Sequence, residues 1–295
     1  MGRKPLLTLL AALVAFTLVP AGGASAAKPL TEERAFVLAS KVGREVAKQR
    51  NARYWRIQRL VKKRTNRFVF EYLERLREDN RYCLANVVVV QSGNRRTASL
   101  TGSRCGTVRA DVLAAEEAVS DGIRELLPRA PDVRAAVNAH EKGLEACEPL
   151  AVPARYEDDV DHFLELGTEA AMYSAVSAEL DAHANRLARI ETADSVLRAG
   201  IASWRKHIEI MESVPEETGD PCPALRRWER DDFSDASRPD FERTNVLYRS
   251  LVRHGRRMLD AGDRVYELGA SDRTLAAFMP YGLVVAAAVE YDKQN

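Results

Sequence analysis

Two hydrophobic periods follow one another along the chain. In "TEERAFVLASKVGREVAKQR" the apolar positions Phe36, Val37, Ala39, Val42, Val46 and Ala47 recur at helical spacing, which predicts a helix of about 18 residues with one buried face. Thr31 stands before it as an N-cap, and Glu32 and Glu33 fill the first turn, where acids complement the helix dipole. From Tyr54 the period drops to two. "YWRIQRL" sets Trp55 and Ile57 on one side. "RFVFEYL" sets Phe68, Phe70 and Tyr72 on one side and Val69, Glu71 and Leu73 on the other. "RYCLANVVVVQ" is rich in β-branched residues, and "RTASLTG" is a shorter run of the same kind. Alternation with aromatic and β-branched residues predicts strands, separated by the polar turns "KKRTNR" and "REDNR". The expectation is one helix and then a four-stranded antiparallel meander ending near residue 106; Tyr54–Lys63 is the segment that could instead prolong a helix.

After Gly106 helical spacing takes over. "TVRADVLAAEEAVSDGIRELLP" reads as a helix closed by Pro128, and "PDVRAAVNAHEKGLEAC" as one opened by Pro131 at its first position. The longest helix follows Pro153, with Phe163, Leu166, Ala170, Tyr173, Leu180, Ala184 and Leu187 on one seam. Thr192 is placed to cap the next. Pro215, Gly219, Pro221 and Pro223 predict a rigid loop, a short helix follows in "PALRRWERDDF", and "DFERTNVLYRSLVRHGRRMLDAGDRVYELG" predicts another long one. The last helix carries the apolar run Leu275–Val289, too short to span a bilayer. Trp204 and Trp228 sit in helical patterns as packing residues. The fold class expected is α+β: a small N-terminal helix plus meander, then a mainly α-helical antiparallel bundle of five to seven helices.

Charge divides the chain at the same place. Lys28–Ala110 holds 20 Lys and Arg against 7 Asp and Glu; Asp111–Asn295 holds 22 against 36. The net charge of +1 conceals this split, which predicts two regions with different surfaces. Arginine outnumbers lysine 35 to 9, a bias of GC-rich bacterial coding. The first residues add a compartment: Arg3 and Lys4 precede the uncharged run Leu6–Leu18, then come Pro20 and the small-x-small Ala24-Ser25-Ala26. That is the pattern of a secretory signal peptide. The organisation expected is residues 1–26 as signal peptide, 27–106 as basic α+β module and 107–295 as acidic helical bundle. The protein would be exported by the general secretory route to the cell envelope or beyond, with no transmembrane anchor after cleavage.

In an oxidising compartment the four cysteines, Cys83, Cys105, Cys147 and Cys222, are expected as disulfides. If a hairpin turns about Asn94, residues whose numbers sum to 188 face each other, and Cys83 falls opposite Cys105 at bridging distance. Cys147 and Cys222 would then pair across about 75 residues. Zinc sites use C-x₂₋₄-C spacing, and these cysteines are all 22 or more residues apart.

Candidate chemistry is sparse. Arg53, Arg56, Arg59, Lys62, Lys63, Arg64 and Arg67 form a cluster able to hold an anionic envelope polymer or a lipid surface; docking on the acidic region, or plain solvation, would account for the same residues. Another exported protein is a further possible partner, and nucleic acid is not expected. Weak metal candidates are Asp159, His162, Glu179 and His183, but His162 and His183 are 21 residues apart on one helix, roughly 31 Å, too far to share an ion. No cofactor is implied. No nucleophile elbow, zinc-protease or phosphate-loop motif occurs. The first reading is a non-enzymatic binding protein; a polymer hydrolase using bundle carboxylates and a metal- or haem-binding bundle are the alternatives.

Overall fold

The structure, a computed structural model, describes residues 28–77, 80–135, 138, 152–215, 218 and 221–294. The expected signal peptide, Cys147 and most of the helix expected after Pro131 lie outside the described residues.

Helix α1 (Glu32–Gln49) crosses one face of an antiparallel sheet made of β1 (Ala52–Arg64), β2 (Arg67–Leu76), β3 (Arg81–Ser92) and β4 (Arg95–Thr107), in the order β1-β2-β3-β4. Residues 54–63 therefore belong to a strand. The Thr31 hydroxyl accepts from the Arg34 amide as the cap. The helix buries a stripe of small residues, Ala35, Ala39, Gly43 and Ala47, against Phe68, Phe70, Tyr72, Ala85, Val87 and Val89. Small residues let the helix axis approach the sheet closely. Phe36 and Val37, expected on the buried face, are consequently turned out to solvent at 47% and 61% exposure.

The β3–β4 hairpin corrects the expected turn while keeping its consequence. Ser92 pairs with Arg95, so the turn is the two residues Gly93-Asn94, with Gly93 at φ +57 in the first central position as a type II′ turn requires. Near the turn the paired numbers sum to 187. A bulge between Asn86↔Thr101 and Leu84↔Arg104 adds one residue to β4, and Gly102 takes φ +61 there, the left-handed conformation such bulges use. Beyond the bulge the sum becomes 188, and Cys83 faces Cys105 with Cα atoms 4.1 Å apart, joined in a disulfide. Cys222 is disulfide-bonded as well.

Seven α-helices follow among the described residues: α2 (Ala110–Leu126), α3 (Glu157–Leu187), α4 (Ser195–Glu212), α5 (Pro221–Arg230), α6 (Phe241–Glu267), α7 (Asp272–Ala276) and α8 (Pro280–Gln294). Several expected boundaries move. Asp194 caps α4 by accepting from the Val196 and Leu197 amides; Thr192 instead donates to Asp111. Pro221 and Pro223 open α5, since the first turn of a helix tolerates proline. The run Leu275–Val289 is split between α7 and α8, with Pro280 starting the second. Helix α3 is kinked at Val176, where Arg129 donates to the Ala175 carbonyl at 2.9 Å and so takes an acceptor of the ladder.

Trp204 lies fully buried in the main core, donating to the Phe278 carbonyl at 2.8 Å. Trp228 anchors a satellite cluster with Phe163, Phe241, Tyr156 and Phe233. No described helix is long and apolar enough to cross a membrane.

Candidate anion-binding face

Facing residues of an antiparallel ladder share a face, so register alone sorts the strand residues. Phe68, Phe70, Tyr72 and Glu74 of β2 lie under α1; Arg67, Val69, Glu71, Leu73 and Arg75 point the other way. Reading across from these gives five rows on the open face: Arg64–Arg67–Val90–Thr97, Lys62–Val69–Val88–Ser99, Arg59–Glu71–Asn86–Thr101, Arg56–Leu73–Leu84–Arg104 and Tyr54–Arg75–Tyr82–Gly106. Irregularities in β1 leave Arg53, Gln58 and Val61 as extra residues, so the strand carries more side chains than its partner can match.

The rows nearest the helices form the joint with the rest of the protein. Arg56 is 6% exposed. It donates to the Ala270 carbonyl at 2.6 Å and to the Tyr266 carbonyl, lies 3.1 Å from the Tyr266 ring centroid and sits 3.5 Å from Asp272. Arg75, 1% exposed, donates to the Gly269 carbonyl at 3.3 Å and reaches Glu116 at 3.4 Å. Tyr266 lies in the last turn of α6 and Gly269 and Ala270 in the turn just beyond it, where carbonyls without helical partners carry negative partial charge. Two arginines from the sheet satisfy them. Burial lowers the pKa of Arg56 while Tyr266, Tyr54 and Asp272 raise it.

The distal rows have a different character. Arg59, Lys62, Arg64, Arg67, Arg95 and Arg104 are exposed, and Glu71 is the one carboxylate at a paired position on this face. Arg59 contacts it at 3.0 Å. Lys62, Arg64, Arg67, Arg95 and Arg104 form no ion pair among the described residues, and Arg64 stands directly opposite Arg67. Like charges in facing positions are unfavourable, and nothing described on this face relieves them.

The seven cations singled out from the sequence therefore separate. Arg59, Lys62, Arg64 and Arg67 share the open face. Arg53 is an exposed extra residue. Lys63 faces Phe68 on the α1 side and pairs with Glu32 at 3.1 Å. Arg56 is committed to the joint and is unavailable to a ligand. Sequence reading missed Arg95 and Arg104, which are 28 or more residues from Arg67 and join it only through the ladder. Alternation along β4 was the available signal for both. A cleft of about 520 Å³ follows, lined by Arg59, Glu71, Leu84 and Arg104 on the sheet and by Asp263 and Glu267 on α6.

The metal candidates are apart. Asn245 donates to Asp159 at 2.6 Å and meets Nδ1 of His162 at 2.7 Å; Tyr248 stacks on His162. Glu179 lies 3.5 Å from Arg129. His183 is buried against Trp204, with neither ring nitrogen in hydrogen-bond geometry with a partner; the Ala118 backbone lies near enough to favour its protonated form. Among the described residues no group of three or more His, Cys, Asp or Glu is placed to hold a metal ion.

No protein-family model, curated protein or solved structure matches the chain.

Proposed function

We propose that the protein is an exported, non-enzymatic binding protein that holds a phosphate-bearing anionic partner at the cell envelope, on the open face of its sheet. The observation that carries this reading is the unrelieved Arg64–Arg67 pair within a face of six exposed cations and one carboxylate. A bound anion converts that repulsion into charge-assisted hydrogen bonds. Export is supported by Arg3, Lys4 and the apolar run that follows, and by the disulfide between Cys83 and Cys105.

The test is binding of the purified protein to inorganic polyphosphate across 50 to 500 mM NaCl, values chosen as roughly a decade of ionic strength. Affinity is expected to fall linearly on logarithmic axes as counterions are released, and the triple variant K62Q/R64Q/R67Q is expected to flatten that slope by about 2 to 3. Absent or salt-independent binding overturns the reading.

A further inference from the structure

The open face and its neighbouring edge bear apolar side chains that a soluble polyanion would not use. In residues 28–107 the large hydrophobics with exposure of 36% or more are Phe36 at 47%, Val37 at 61% and Val61 at 53%. Phe36 and Val61 fall at the edge where the first half of α1 lies beside β1; Val37 lies on the opposite side of α1 from the buried stripe of Ala35, Ala39 and Gly43 and faces away from the sheet. Phe36 packs on Phe70 with ring centroids 6.0 Å apart and lines a cavity with Leu60 and Arg59. Val61 is the extra residue beside Lys62. Inward from it, Val69, Val88 and Val90 lie partly exposed on the open face, in register with Lys62 and Arg67.

Apolar and cationic groups are thus interleaved at one end of the molecule, away from the joint made by Arg56 and Arg75. Facing acids are few. Glu32 is paired with Lys63, Glu71 with Arg59, and Glu33 is exposed on α1. A second copy of the same face would set cations against cations, so self-pairing is disfavoured by charge.

We infer that this end of the sheet docks on a bilayer surface containing anionic phospholipid, with Lys62, Arg64 and Arg67 at the headgroup phosphates and Phe36 and Val61 in the boundary between headgroups and acyl chains. A lipid interface rewards both kinds of side chain at once: apolar area entering the boundary and cations near an anionic leaflet add together. Long basic side chains lay their stems along the apolar layer and keep the charge at its surface. The inference rests on the anion-binding reading and narrows it to one class of partner.

Co-sedimentation of the purified protein with vesicles of phosphatidylcholine alone, and of phosphatidylcholine with one quarter phosphatidylglycerol, tests it beside the polyphosphate measurement. Binding is expected only to the anionic vesicles, with about a fivefold loss for each cation neutralised. The variant F36S/V61S alters exposed positions, and its melting temperature reports that it is folded. It should lose tenfold or more in vesicle affinity while keeping polyphosphate affinity. In V61W, tryptophan emission should shift to the blue with anionic vesicles and stay unchanged with polyphosphate. If the serine variant binds vesicles as well as the parent, or polyphosphate binds and vesicles do not, the bilayer inference is overturned and the anion reading survives. If neither ligand binds, both fall.

Discussion

The guanidinium of Arg56, carried on the first strand, donates to the carbonyl of Ala270 at 2.6 Å, 214 residues further along the chain. A strand cation thereby satisfies the turn that follows a helix in the acidic region. Arg56→Met keeps most of the aliphatic stem, leaves the Ala270 carbonyl buried without its side-chain donor and leaves the Tyr266 carbonyl with only the Gly269 amide, a loss of about 3 kcal/mol. Chemical denaturation checks it. A midpoint within error of the parent would mean that the joint contributes nothing to stability.

At Gly200 helix α4 packs tightly on α6. A Cβ there would fall 2.2 Å from Cβ of Ala261 and 2.9 Å from the Arg257 carbonyl oxygen. Glycine to alanine inside a helix ordinarily stabilises by about 1 kcal/mol. Here both obstacles lie on the body of a packed helix, so Gly200→Ala should destabilise by about 2 kcal/mol or more. Thermal melting of this single variant gives the sign directly.

The Cys83–Cys105 bridge closes the far end of the hairpin. Replacing the pair as Cys83→Ala with Cys105→Ser should cost about 3 kcal/mol through a freer unfolded chain. The effect should vanish when both proteins are melted under reducing conditions, where the parent loses the bridge too. A difference that survives reduction would assign the loss to packing around Cys83, which is 2% exposed.

Acid should weaken the helical region through two buried histidines. Burial, with Arg186 nearby, lowers His183 to about 3, and burial, with His254, lowers His207 to about 4. Both are neutral in the folded state, whereas the unfolded chain takes up their protons below the ordinary value near 6.5. Stability is therefore full above that value and is lost as pH falls toward 4 and below. Glu169 acts in the opposite sense: burial and Glu165 push it up to about 7, so it gains stability over part of the same range. Two histidines outweigh one glutamate, and at about 1.4 kcal/mol per unit the net effect is several kcal/mol. Asp194, held near 2 by Arg264 and by the Val196 and Leu197 amides against the opposing effect of burial, loses its contribution only under stronger acid. Melting temperatures should fall between pH 6.5 and 4, and His183→Leu should flatten that limb. An unchanged limb in the variant would place the acid sensitivity elsewhere.

How much could be read beforehand is clearest in particular residues. The alternation of Phe68, Phe70 and Tyr72 identified β2 and its buried side because period two is a local property. Cys83 and Cys105 were paired correctly from a turn assumed one residue too long, since the Gly102 bulge supplied the missing residue. Phe36 and Val37 were misplaced because hydrophobicity alone does not say that a helix will approach a sheet through alanine and glycine. Asp194 displaced Thr192 as a cap because Thr192 found a better partner in Asp111.

For the candidate site, the sequence by itself determined that cations would crowd residues 53 to 67, because composition and spacing are written in it. It did not determine which of them would remain free. Arg56 and Arg59 are three residues apart and chemically identical, yet one binds a backbone carbonyl 214 residues away and the other is exposed on the open face. That separation was decided by tertiary structure alone: the carbonyls in the last turn of α6 and the turn beyond it accept from buried donors, the strand rows nearest them supplied Arg56 and Arg75, and the distal rows kept their charge facing water.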